Sequence, residues 1–307
     1  MCSSIKINSQ NLTYSAQCCG RHATKILQDN STARVRGVIS KGIFIETLHQ
    51  QIFFISGEHF CGPLTIKLST MIDFKSLFLL GENCTLELHQ IVFDCCTVAI
   101  DRNTLIWHPS PIHFIKDKIP EAQDRCKQLA IQIIASYSSG LFFLFLKRIL
   151  EITVEKPGNQ ASHLKEIWRR LPGHEYNHPG NLSQRLLGLI GRGSGLTPSG
   201  DDFLVGFLLT SYYLKQVSPS TALQEELQYQ IVQTARDQTT TLSAALIQCA
   251  ADGAADERLM NALRWLAQGD ADIRRVKSDL LSYGSSSGMD SFVGMLAAIL
   301  LFSATSP

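Results

Sequence analysis

The chain has 307 residues, 45% of them hydrophobic, enough for two domains and a sizeable core. Its 28 Lys and Arg balance 27 Asp and Glu, leaving a net charge of +1, so no global field favours nucleic acid or an acidic membrane surface. The first 20 residues lack the apolar core of a signal peptide, and no run approaches the ~18 apolar residues of a membrane span, which reads as a soluble, cytoplasmic protein.

From Ile5 to His113 the texture is that of β-structure. Arg34–Ile39, Gly42–Leu48, Gln51–Ile55, Pro63–Leu68, Leu77–Leu80, Thr85–Gln90 and Ile91–Ile100 are short and rich in β-branched or aromatic residues, with Gly, Asn and Pro between them. Runs so short and so closely spaced predict a small barrel or sandwich, with a helix around Ala16–Leu27 leading into it. Pro109, Pro111 and Pro120 then mark a linker. Beyond it Glu121–Tyr137 and Leu141–Val154 carry apolar residues at helical spacing. A loop over Lys156–Pro179 surrounds a short helix, Ala161–Arg170. Helices follow at Leu182–Ile190, Asp202–Lys215, Thr221–Leu246, Ala255–Gln268, Ile273–Leu281 and Asp290–Phe302. The expected class is α+β: a β-rich domain over residues 1–113 and a mainly helical, ligand-binding domain over residues 121–307.

The most informative stretch is Gly191–Asp202, GRGSGLTPSGDD. Gly191, Gly193 and Gly195 permit positive φ and leave backbone N–H groups uncovered, so that Gly193, Ser194, Gly195, Leu196 and Thr197 can wrap an anion. Pro198 fixes the chain at the start of a helix, Ser199 can cap it, and Gly200 follows; the helix N-terminus adds partial positive charge. Asp201 and Asp202 do not suit a bare phosphate. They could cap the helix, accept hydrogen bonds from an amide, amine or ribose, or hold a divalent metal. The loop is no P-loop, since the GxxxxGK[ST] spacing fails, and no clear strand precedes it as a dinucleotide fingerprint requires.

An echo lies near the C-terminus. Residues 287–294, SGMDSFVG, repeat residues 199–206, SGDDFLVG, in the pattern S-G-x-D-x-x-x-G. Asp and Gly four apart share one helical face, and a glycine there lets two helices approach backbone to backbone. We expect the two helices to pack together and to bring Asp202 and Asp290 to one pocket, with Ser286, Ser287 and Gly288 at its second loop. Thr239, Thr240, Thr241 and Ser243 place four hydroxyls in a helical pattern that three threonines disfavour. Thr239 and Thr240 are candidates to line the same pocket.

Taken in order, GLTPSGDDFLVGFLL, TTTLSAAL and GSSSGMDSFVGMLAAIL resemble the AllH family, small subunits of the oxamate carbamoyltransferase of anaerobic allantoin breakdown. The first motif is long and specific, and the likeness is strong from Gly191 onward; Val38–Phe44 also looks like the family's early strand. The resemblance implies carbamoyl transfer between oxalurate or oxamate and phosphate or carbamoyl phosphate, in a complex with two larger subunits. The loop and its echo make Asp201, Asp202 and Asp290 the candidate catalytic residues. Relatives often have His after the first Gly of the last motif; Ser285 stands there in this chain, so that imidazole is absent. Arg192 and Arg236 are candidate phosphate-binding cations.

Other constellations are weaker. His174 and His178 are four apart, but Gly173, Pro179 and Gly180 favour a loop over a metal-binding helix. His108 and His113 read as ordinary polar residues, and Ser194 sits in no G-x-S-x-G elbow. The nine cysteines form no CxxC pair and read as reduced, buried thiols. Two rivals to the transferase reading stand: a non-catalytic binding or scaffold subunit, and an independent enzyme that uses nucleotide or metal at Asp201 and Asp202.

Overall fold

The computed structural model describes residues 12–28, 31–136, 140–155, 182–217 and 225–305. The predicted helix Ala161–Arg170, its flanking loop and the pair His174 and His178 lie outside them. The chain divides into two compact units, Met1–His108 and Pro109–Pro307.

The first unit is a β-barrel. Its strands are β1 (Leu12–Gly20), β2 (Thr32–Ile39), β3 (Gly42–Thr47), β4 (Ile52–Ser56), β5 (Thr65–Leu68), β6 (Asn83–Glu87), β7 (Gln90–Val92), β8 (Cys96–Ala99) and β9 (Leu105–Trp107). They run in the order β5-β4-β3-β2-β6-β7-β8-β1-β9, and a further pairing of β5 with β1 closes eight of them into a barrel. Most pairs are antiparallel; β4–β5, β1–β8 and β1–β9 are parallel. Alternation fills the interior. Ile43, Ile55 and Ile66 face one another along one row of registered pairs, and Leu86, Ile91 and Val98 along another; all six are fully buried.

The predicted helix over residues 16–27 is corrected here. Residues 16–20 belong to β1, where Cys18 and Cys19 take register with Lys67 and Ile66 of β5. Helix α1 (Arg21–Leu27) starts only after Gly20, whose Cβ would lie 2.0 Å from the Gly62 carbonyl oxygen. Ladder bonds to distant strands override the local apolar spacing. Nor is there a strand at residues 77–80. A short helix α2 (Phe74–Leu77) ends there, begun by the Ser76 hydroxyl donating to Asp73 at 2.6 Å, and Leu79 and Leu80 stand exposed. The single run predicted over residues 91–100 folds back as the β7–β8 hairpin.

The second unit is helical: α3 (Ile119–Ile134), α4 (Phe143–Glu155), α5 (Leu182–Leu187), α6 (Ser199–Lys215), α7 (Glu225–Gln238), α8 (Thr241–Ala251), α9 (Glu257–Gln268), α10 (Ile273–Leu281) and α11 (Ser287–Thr305). Helices α6 and α11 form its centre. Every residue from Gly200 to Thr210 is buried, as is every residue from Gly288 to Leu300, so neither helix has a polar face. Phe142 stacks on Phe203 at 4.8 Å and Phe203 on Phe207 at 6.1 Å. The two central helices cross where Gly206 meets the Ser291 carbonyl and Gly294 meets the Phe203 carbonyl; a Cβ would lie 1.8 Å and 2.0 Å from those oxygens.

The single helix predicted over residues 221–246 is two. Thr240 leaves the helical region at φ −70°, ψ 151°, and its hydroxyl accepts the Ser243 N–H at 3.1 Å as the cap of α8. Among the described residues no helix is long and apolar enough to cross a membrane.

Candidate functional site

Helix α6 starts where Pro198 stops the preceding loop. Pro198 occupies the cap position, and its carbonyl accepts the N–H groups of Asp201 and Asp202 at 2.9 Å and 3.1 Å. This corrects one expectation: Ser199 does not cap α6 but stands as its first helical residue, with its hydroxyl toward Asp290. The loop ahead of it takes the left-handed conformation at Gly191, Gly193 and Gly195, with φ of 70°, 117° and 104°. Gly191 and Gly193 need it at close approaches. A Cβ on Gly191 would lie 2.6 Å from the Gln238 carbonyl oxygen, and one on Gly193 2.7 Å from the Ser199 nitrogen. Residues 192–196 are exposed, and no described residue pairs with the N–H groups of residues 193–197. That row of free donors beside a helix N-terminus suits an anion.

Behind the loop lie three buried carboxylates. Asp201 is 1% exposed, Asp202 2% and Asp290 0%. Asp201 accepts the Gly191 N–H at 2.8 Å and the Thr239 hydroxyl, which ties the loop to the break between α7 and α8. Burial raises its pKa; those bonds and the nearby Ser243 oppose the rise. Asp202 accepts the Thr197 hydroxyl at 3.2 Å, and Thr197 pairs with Ser287 at 3.1 Å. Burial holds Asp202 well above the usual carboxylate range, and the charges of Asp290 and Asp201 add to the effect. Asp290 is pushed up to about 6, again by burial first. The hydroxyls of Ser199 and Ser286 oppose that rise, yet neither Asp290 oxygen closes a well-formed hydrogen bond with any described residue.

The second loop is built like the first. Gly288 packs on the Leu280 carbonyl as Gly200 packs on that of Leu189, with a Cβ falling 1.8 Å and 2.0 Å from the oxygens. The Thr240 hydroxyl donates to the Leu196 carbonyl at 2.8 Å, fastening the exposed loop from a third direction. Asp201, Asp202, Asp290, Thr197, Ser199, Gly200, Thr239, Thr240, Ser286, Ser287 and Gly288 thus gather at one place. Ser194 and Gly195 stand in the exposed loop, and nothing lies within 4 Å of a Cβ placed on Gly195.

The two candidate cations do not reach the acids. Arg192 turns back to the Gly188 carbonyl at 3.2 Å, and Arg236 bonds Gln233 and Gln248. Among the described residues no Lys or Arg forms an ion pair with the three carboxylates. No group of three or more His, Cys, Asp or Glu among them is set to hold a metal ion. Tyr283 is a neighbour that spacing did not flag. Arg258 lies over its ring at 4.9 Å, and burial, with the charges of Asp256 and Asp202, drives its phenol well above its ordinary pKa. Its signal was faint: an aromatic residue just ahead of the Gly/Ser loop. The eight described cysteines are all free, and burial pushes Cys19 up to about 11 and Cys84 to about 12, so these thiols stay protonated.

Residues 189–299 match the model of a family described as oxamate carbamoyltransferase subunit AllH. The matched family is AllH. The matched segment opens at Leu189, whose carbonyl receives Gly200, and runs through the Thr239–Thr240 break to within the buried part of α11. It therefore contains all three carboxylates and every hydroxyl that surrounds them. No solved structure matches the chain.

Proposed function

We propose that the chain is a subunit of an oxamate carbamoyltransferase-type complex and that the acids at the first turns of α6 and α11, with the loop above them, bind its small substrate. One observation carries this reading: the AllH match spans the segment that assembles three buried acids, without an ion pair among the described residues, beneath a loop of free N–H donors. Oxamate, oxalurate and carbamoyl phosphate each pair a carbamoyl group with an anionic end, and the site offers acceptors for the one and donors for the other.

The reaction asks for two kinds of group. Phosphorolysis of oxalurate forms a bond from a phosphate oxygen to the carbamoyl carbon, breaks that carbon's bond to the oxamate nitrogen, and delivers a proton to that nitrogen. The N–H groups of residues 193–197 would hold the anion and stabilise charge on the carbonyl oxygen. A carboxyl group with a pKa near 6, as at Asp290, is suited to supply the proton and to recover it in the reverse direction.

Carbamoyl phosphate formed from oxalurate and phosphate tests the proposal, with the purified chain assayed alone and together with its partner subunits. Formation that requires this chain, and that falls at least ~100-fold in D202N and D290N, is the expected result. Undiminished activity in both variants would place the chemistry elsewhere and leave this subunit a binding or scaffold role.

A further inference from the structure

Helices α6 and α11 are related by an exchange that runs deeper than their sequences. Laying residues 199–206 on residues 287–294 pairs Gly206 with Gly294 and Phe203 with Ser291. The two closest approaches are Gly206 on the Ser291 carbonyl and Gly294 on the Phe203 carbonyl, so the exchange swaps one contact for the other. The same holds at the first turns. The Ser287 hydroxyl faces Asp202, and that of its counterpart Ser199 faces Asp290. Asp202 and Asp290 are thus equivalent positions of a local two-fold arrangement, close enough that the charge of Asp290 raises the pKa of Asp202.

Their surroundings differ in one respect. Asp202 receives the Thr197 hydroxyl, whereas both oxygens of Asp290 are wholly buried without a well-formed hydrogen bond to any described residue. A buried carboxylate left in that condition is among the costliest features a fold can keep. A site built to hold a donor has that appearance when the donor is absent. A guanidinium or ammonium from the described chain does not fill it, and the carboxylates do not form a metal-holding group with other residues. Two facing acceptors fit one nitrogen that carries two hydrogens in a plane.

We propose that Asp202 and Asp290 form an amide-recognition subsite, each accepting one N–H of the terminal NH2 group of a carbamoyl-bearing substrate whose anionic end rests on the N–H groups of residues 193–197. This inference rests on the carbamoyltransferase reading and adds the orientation of the substrate. The NH2 group lies deep, between the helix starts, and the charged end lies at the exposed loop.

Calorimetric titration of the full chain with oxamate, N,N-dimethyloxamate and oxalate tests it. Only the first carries N–H donors, while all three keep a carboxylate for the loop. The wild-type protein is expected to bind oxamate at least ~10-fold more tightly than either analogue, a preference of ~1.4 kcal/mol. In D290N, and independently in D202N, the preference should fall to within about twofold while oxalate binding persists. D290N removes an unpaired buried charge at constant shape, and circular dichroism checks that both variants fold. A tenfold preference retained by either variant overturns the subsite. Equal wild-type affinity for all three ligands overturns it as well, while leaving the carbamoyltransferase reading to the activity assay. Absence of any binding overturns both.

Discussion

The two loop–helix halves of the site share a scaffold and differ in what they add to it. Each has a glycine packed on a carbonyl of the segment before, a serine at the first helical position, a buried aspartate three residues later and a glycine at the crossing. The first half then adds what the second lacks. It carries a second acid at Asp201, where the other has Met289, and a loop with three left-handed glycines where the other has Gly284 alone ahead of its helix. Asp201 spends its oxygens on the loop's own Gly191 N–H and on Thr239, so it shapes the loop. Asp290 closes no well-formed hydrogen bond within the described chain. The shared parts make the crossing, and the unshared parts make a site with a buried end and an exposed end.

The comparison breaks most completely at the crossing. Gly206→Ala and Gly294→Ala each drive a methyl into a carbonyl oxygen of the opposite helix, and neither helix has a solvent face to yield toward. Each should lower unfolding free energy by ~3–5 kcal/mol in urea titrations. Because both separate the same pair of helices, the double variant should cost clearly less than the sum of the two. Simple additivity would mean that the contacts are independent and the two-fold relation incidental.

Protonation sharpens the comparison next. The folded-state pKa of Asp290 is raised to about 6 from an ordinary carboxylate value, so between about pH 4 and pH 6 the folded protein binds more protons than the unfolded chain. The contribution of this group to stability is therefore full below the lower value and is lost as pH rises through the upper one, by ~3 kcal/mol at ~1.4 kcal/mol per unit. Asp201 and Asp202 shift in the same direction. Thermal denaturation across this range should show wild-type stability falling with pH and D290N falling less steeply, with the variant the more stable at pH 7. Parallel profiles would show that Asp290 keeps an ordinary pKa.

The smallest effect belongs to the loop. Gly195 holds φ of 104° in open space, so Ala there meets no atom and incurs only backbone strain, ~1–2 kcal/mol. Stability should drop by that much or less, while affinity for inorganic phosphate or oxalate drops at least ~10-fold as the N–H row is disturbed. Unchanged anion affinity would exclude the loop as the charged end of the site.

Much of this pairing was legible in the sequence because few physical reasons put Gly four residues after Asp at the start of a wholly apolar helix. The repeated pattern therefore pointed to a close crossing, and the three left-handed glycines followed from the same economy. The Ser199 cap was misplaced because Pro198 took the cap position, which freed the serine for a carboxylate 91 residues away in sequence. The threonine run was seen to disfavour a helix yet was placed within one, because its use as a helix break depends on Gly191 packing against the end of α7, a contact no local spacing reveals. In the barrel, alternation located most strands. It failed at β1, whose apolar spacing fits a helix as well as a strand, and whose partners lie far along the chain.

That strand has a consequence for how the protein is made. β1 leaves the ribosome before its register partners Leu68, Cys96 and Trp107 are translated. At ~5–20 residues per second, the wait for the first of them, Leu68 of β5, is several seconds, during which a cysteine-bearing segment has no sheet to join. The barrel can shut only when β1 has both β5 and β8 beside it, so its closure waits on the translation of residue 99.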